Sequence, residues 1–151
     1  MRLQVRGQHR TLERDTVRDA VHYYTKRLFR SRNPAISVTV TFVPDLLRSA
    51  GALGTCQWTD SQRRPRRFHV MLHSKLGSNR ALEILAHEMV HVWQYATGRL
   101  RDIGDADTVE WDGKRRDYTG FIELNFDAPW EVEAYGRQVG LYTGFVTGYN
   151  G

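Results

Sequence analysis

The chain has 151 residues, 40% hydrophobic and 26% charged, enough for one domain (1–151) whose core needs no disulfide support. Cys56 is its lone cysteine, which excludes an intramolecular disulfide framework; with no charged-then-apolar leader at the start, this points to a reducing, cytoplasmic setting. No apolar run approaches the roughly 20 residues of a membrane-spanning helix, and the formal charge of +5 comes from arginine more than lysine.

In residues 1–10, Leu3 and Val5 alternate with polar neighbours, the pattern of an edge strand or a loose arm. From Thr11 to Phe29 the apolar residues Val17, Ala20, Val21, Tyr24 and Leu28 recur at three- and four-residue steps, which predicts an amphipathic helix with a basic outer face. His22, at its boundary, reads as a surface residue rather than a ligand. Asn33-Pro34 breaks the helix, and Ile36 to Phe42 alternates β-branched or aromatic residues with Ser and Thr, as a half-buried strand does. Pro44 stops that strand, and a connection bearing Gly51 and Gly54 leads to a second one at Thr55 to Thr59.

Arg63, Arg64, Arg66 and Arg67 then cluster around Pro65. A proline-broken basic segment between strands is a solvated turn; it is also where weak contact with nucleic acid would fall, since guanidinium groups attract phosphate. In the next strand, Phe68 to Ser74, the residues Phe68, Val70 and Leu72 face one way. His69, Met71 and His73 face the other, as one polar face looking toward a substrate cleft.

The run Arg80 to Thr97 reads as a helix, with Ser78 or Asn79 to cap its start and Gly98 to end it. Its apolar stripe is Leu85, Met89, Val92 and Ala96. On the other side stands His87-Glu88-Met89-Val90-His91. Histidines four residues apart lie one turn apart on one helix face, so both rings reach one zinc ion, with Glu88 beside them where a general base is needed. The motif arises by accident in roughly one or two chains in a hundred of this length, so its helical context carries the reading. A zinc site that does chemistry takes three protein ligands and keeps one position open, and the third must come from elsewhere in the chain.

Residues 99–127 are irregular, rich in Asp, Gly and aromatics, with short β segments expected at Val109 to Trp111 and Phe121 to Phe126; loops of this kind wall clefts. Asp127, Ala128 and Pro129 make a helix start, and Trp130 to Leu141 reads as the closing helix. The tail from Gly140 repeats glycine and aromatics without helical spacing.

No histidine follows His91, and Gln94 and Thr97 exclude the HExxHxxGxxH pattern. A carboxylate remains. Of Asp102, Asp105, Asp107, Glu110, Asp112, Asp117, Glu123, Asp127, Glu131 and Glu133, only the last two lie on a well-marked helix, which holds a ligand better than a loop does. They are two residues apart, about 200° around the helix, so one points at the metal and the other does not.

HEMVHVWQYATG followed by PWEVEAYGR resembles the gluzincin class of zinc peptidases, within it the small SprT-like or minigluzincin-type metallopeptidases of phages and bacteria. In many gluzincins the ligand glutamate stands four residues before a helper aspartate. Glu131-Val132-Glu133-Ala134-Tyr135 matches that spacing with Glu131 as the ligand, while Tyr135 replaces the aspartate and offers a hydroxyl in its place. SprT-like proteases of DNA repair use a third histidine, which this chain lacks.

The resemblance implies a zincin-like α+β fold: an N-terminal helix, a small mixed sheet, the HExxH helix, and a C-terminal helix carrying the third ligand. It also implies a zinc-dependent peptidase acting on peptide or protein substrates, with His87, His91 and Glu131 on the metal and Glu88 as base; for steadying the oxyanion the residues offer Tyr135, Tyr118 and His73 as candidates, in that order. The resemblance further implies an extended peptide pairing with the strand Phe68 to Ser74. Two rival expectations are a nucleic-acid-associated protein with structural zinc, and an inactive or latent zincin serving as a phage component, its N-terminal arm lying in the cleft.

Overall fold

The computed structural model describes residues 1–31, 33–104, 108–117 and 126–150. Strand β1 (Arg2–Arg6) leads into helix α1 (Arg14–Phe29), followed by β2 (Ser37–Val43), the short helix α2 (Leu46–Ala50), β3 (Gly54–Trp58) and β4 (Arg67–His73). Helix α3 (Ser78–Ala96), strands β5 (Leu100–Asp102), β6 (Thr108–Trp111) and β7 (Lys114–Asp117), and helix α4 (Pro129–Thr147) complete the described chain. The architecture is mixed α and β with two sheets.

The larger sheet has the order β1-β2-β4-β3; the first three strands are parallel, and β3 runs antiparallel to β4. Alternation decides its faces. Val38, Val40 and Phe42 on β2 and Phe68, Val70 and Leu72 on β4 are buried under the helices. The intervening residues, His69 and His73 among them, line the opposite face. There Thr41 Oγ1 meets His69 Nε2 at 2.9 Å, and His73 Nδ1 accepts the Lys75 backbone N–H at 3.1 Å. The polar face therefore looks away from α3, so neither histidine enters a cleft formed there.

Helix α3 is the centre of the packing. Residues all round it are buried, Leu85, Met89 and Val92 completely, as happens when a helix has neighbours on every side. Tyr24 on α1 donates to the Leu82 carbonyl at 3.0 Å inside the core. The cap of α3 is Gly77, with no side-chain bond; Ser78 turns its hydroxyl to Thr11 instead. At the other end Gly98 takes a left-handed φ of 75° as the helix stops.

Three sequence expectations change. The N-terminal segment is β1, on the sheet edge farthest from β3, and His9 ties the next turn to the Leu76 carbonyl at 2.5 Å. It does not lie in the cleft described below. Strand β4 is interior, so both its edges are taken by β2 and β3 and it cannot add a peptide strand. And α4 continues through the glycines to Thr147, because Gly144 lets Tyr23 of α1 lie against its backbone where a Cβ would collide. Tertiary packing there outweighs the helix penalty of glycine, roughly 1 kcal/mol per residue.

Strands β5, β6 and β7 form an antiparallel meander around a small cluster of Leu100, Val109, Trp111 and Trp130. Asp112 and Gly113, with φ of 48° and 80°, make the two-residue turn between β6 and β7; positive φ at both positions is the type I′ pattern that an Asp-Gly pair favours. The segment expected at Phe121 to Phe126 lies outside the described residues except for Phe126, as do Tyr118, Asp105, Asp107 and Glu123. No described helix is long and apolar enough to cross a membrane.

Candidate metal centre

Helix α4 crosses α3 so that Glu131 faces the two histidines. Its Oε2 stands 3.1 Å from His87 Nε2 and its Oε1 3.1 Å from His91 Nε2, while the two Nε2 atoms are themselves 3.1 Å apart. Ligand atoms about 2.0–2.1 Å from a tetrahedral zinc ion stand about 3.3 Å from one another. The two nitrogens stand close to that spacing and each has a different oxygen of Glu131 at a similar distance, so that one ligand atom from each of the three residues lies within 4.8 Å of the others. Among the described residues, this is the group of histidine and carboxylate side chains close enough to hold a metal ion. Glu133 points elsewhere, as the 200° separation on the helix requires.

The opposite nitrogens of both rings are held by glutamines. His87 Nδ1 meets Gln138 Oε1 at 2.8 Å, and Gln138 Nε2 donates to Glu83 Oε1 at 2.9 Å. His91 Nδ1 meets Gln94 Oε1 at 2.8 Å, and Gln94 Nε2 donates to the Trp130 carbonyl and to Glu133 Oε1, both at 3.0 Å. Carboxylate and carbonyl oxygens only accept, so each amide must turn its own oxygen to the histidine. Each histidine then keeps a proton on Nδ1, so Nε2, which faces Glu131, is the nitrogen that a metal would take by displacing any proton it carries. Neither glutamine was singled out in the sequence. The available signal was helical spacing, since Gln94 follows His91 by three residues and Gln138 follows Glu131 by seven.

Glu88 is 6% exposed and close to the start of β3. Gly54 makes this possible: a Cβ there would come within 2.6 Å of Ile84 Cγ2 and 3.0 Å of Glu88 Oε1. Burial raises the Glu88 pKa, opposed by His91 and His87 and assisted by the Glu131 charge. Such a carboxylate accepts a proton more readily than a solvated one. Cys56, the next inward residue of β3, has its thiol pushed up by burial and by Glu88, and it lies outside the three-ligand group.

Burial would raise Glu131, but hydrogen bonds from His87 and His91 outweigh it and bring the carboxyl from 4.5 down to about 2. Burial would lower His91, but its bond to Glu131 and the charges of Glu88 and Glu131 take it from 6.5 up to about 9. The signs define a window for the metal-free protein. The His91 contribution to stability is complete below 6.5 and lost as pH rises through about 9. The Glu131 contribution is present above 4.5 and lost as pH falls through about 2. Metal-free Tm should therefore fall between pH 6.5 and 9, while the Tm gain on adding zinc grows over that range because less proton must be displaced. Thermal melts across this range with and without zinc check it, and a zinc gain that shrinks with pH contradicts it.

The site opens into a cleft of about 710 Å3 walled by β3, α4 and the meander. Tyr135 places its ring 4.5 Å from that of His87 and is 44% exposed to the cleft. Burial, Glu131 and Glu88 raise its pKa, so the phenol keeps its proton as a donor. Farther along, Trp58 and Tyr95 stack at 4.3 Å, beside Leu100, Val109 and Trp130. Among the described residues, no strand pairs with the outer edge of β3. Leu53 accepts from His73 N–H at 2.9 Å and Thr59 donates to Arg67 at 3.0 Å. Hydrogen-bonded pairs alternate by two, so Gly54, Cys56 and Trp58 turn their N–H and C=O groups outward.

No family model, no curated protein and no solved structure matches this chain. The functional reading accordingly rests on the geometry above.

Proposed function

We propose that the protein is a zinc-dependent peptidase of the gluzincin type with a zincin-like fold, its metal held by His87, His91 and Glu131. The observation that supports this most is the convergence of two Nε2 atoms 3.1 Å apart with one carboxylate, each of whose oxygens stands 3.1 Å from one of them, with a buried Glu88 alongside. A zinc ion at this position supplies Lewis acidity, which polarises a carbonyl and lowers the pKa of water.

The chain's own residues do the rest. Glu88 takes the proton of the attacking water and delivers it to the leaving nitrogen; its raised pKa lets it hold that proton between the two steps. Tyr135 donates its hydroxyl hydrogen to the developing oxyanion. An extended peptide adds to the open edge at Gly54, Cys56 and Trp58 by main-chain pairing. The edge is thus β3, one strand over from the strand Phe68 to Ser74. The apolar floor around Trp58, Tyr95 and Leu100 accepts a bulky apolar side chain of the substrate.

Digestion of an unfolded protein by the zinc-loaded chain, with cleavage sites mapped by mass spectrometry, tests the proposal. Cleavage that stops on chelation and returns with zinc is expected, enriched beside apolar residues. A zinc-loaded protein that cuts nothing in a diverse peptide mixture would sink the peptidase reading.

A further inference from the structure

The polar chain behind His91 extends well beyond the amide that orients the ring. Glu133, which accepts from Gln94 at 3.0 Å, receives Arg99 Nη1 on both oxygens, at 2.9 and 3.1 Å. The other edge of the same guanidinium reaches the turn of the meander, Nε to Asp112 Oδ1 at 2.9 Å and Nη2 to Asp112 Oδ2 at 3.4 Å. Its Cζ lies 4.8 Å from the centre of the Trp93 ring and 4.7 Å from that of the Trp111 ring. Its backbone is fixed as well: the Arg99 N–H donates to the Gln94 carbonyl at 3.0 Å, and its carbonyl accepts from Asp112 N–H at 2.9 Å. Arg99 is therefore gripped at both edges, by two indole rings and through its main chain.

The meander depends on that grip. Its own cluster is four buried residues, and a small sheet with so little apolar cover has a marginal hold on the rest of the molecule. Yet this sheet supplies Leu100, Asp102 and Val109 to the wall of the cleft. The corresponding relay behind His87 is different: it runs through Gln138 to Glu83 and ends at Arg80, 3.3 Å from Glu83 and half exposed. It stays within α3 and α4 and does not reach the meander.

We infer that the chain Asp112, Arg99, Glu133, Gln94, His91 couples the seating of the meander to occupancy of the metal centre, with Arg99 a positioning residue for His91. The inference rests on the metal reading above and goes beyond it. Metal on Nε2 fixes the ring with its Nδ1–H on Gln94, and an amide held in that one orientation holds Glu133, and through it Arg99, in place. Coupling of two equilibria is reciprocal, so whatever holds the meander in place raises metal affinity by the same factor. One wall of the substrate cleft is thereby assembled together with the metal.

Two readouts on the full chain test this: zinc affinity by competition with a chromophoric chelator, and amide hydrogen exchange in residues 100–102 and 108–111 with and without zinc. In the wild type, zinc should slow exchange in both segments. Arg99→Leu should lower zinc affinity about 10–100-fold and abolish the zinc-dependent protection. Arg101→Leu, which breaks the neighbouring ion pair with Glu110 in the same meander, should leave both readouts unchanged. If Arg99→Leu does not fold, Asp112→Asn keeps a residue suited to the left-handed turn while removing its charge on Arg99, and should move both readouts in the same direction by a smaller factor. Wild-type zinc affinity in these variants, or meander exchange indifferent to zinc in a wild type that binds it, overturns the inference alone. A wild type that binds no zinc overturns the metal reading and this inference with it.

Discussion

Glu88→Gln is expected to keep its zinc and lose its hydrolysis. The substitution preserves volume and removes only the ability to take a proton, and Glu88 stands outside the ligand triangle of His87, His91 and Glu131. General acid–base catalysis contributes about 10²–10⁴-fold. Because one carboxylate serves both the attack and the departure of the amine, the loss should fall toward the upper end of that range. The metal should be retained with at most a modest loss of affinity, since the variant keeps all three ligands and removes only the attraction of one neighbouring negative charge. Parallel assays of zinc content and peptide cleavage check this. Turnover within tenfold of wild type would remove Glu88 from the mechanism, and loss of zinc would place it on the metal.

Glu131→Ala should weaken zinc binding far more than Glu133→Ala. Structural zinc sites bind with roughly 10–16 kcal/mol; one ligand's share of such a site is about 3–5 kcal/mol, or two to four orders of magnitude in affinity. Glu131 offers both its oxygens to the histidines. Glu133 is committed to Arg99 and Gln94, so it cannot turn inward without abandoning a half-buried ion pair. Its removal acts through the orientation of His91 and should cost about 10–100-fold.

Local spacing made much of this legible. The i, i+4 histidines, the apolar stripe of α3 and the Pro129 helix start are properties of single elements, and the structure places all of them within a residue or two of where the sequence suggests. Glu131 could be narrowed to a pair because helical geometry forbids both glutamates from facing one ion. The choice between them depends on how α4 crosses α3, which is tertiary. The orienting roles of Gln94 and Gln138 are non-local for the same reason, since a glutamine carries no charge signature and its role appears only when a histidine from the same or a crossing helix meets it. Sheet order is equally non-local: nothing in Phe68 to Ser74 marks it as an interior strand rather than an edge. The glycines of α4 read as a tail because propensity is local, whereas their accommodation depends on Tyr23 from α1. One signal was local and passed over, the Asp112-Gly113 pair that forms the β6–β7 turn.

X-ray absorption at the zinc edge, on stoichiometrically loaded wild type and on Glu131→Ala, tests the central claim most directly. The wild type should show two imidazole nitrogens at about 2.0–2.1 Å with the remaining shell made of oxygen, and Glu131→Ala should keep the imidazoles while changing the oxygen shell. Sulfur at about 2.3 Å, which would put Cys56 on the metal, or a spectrum without imidazole scattering, would contradict it.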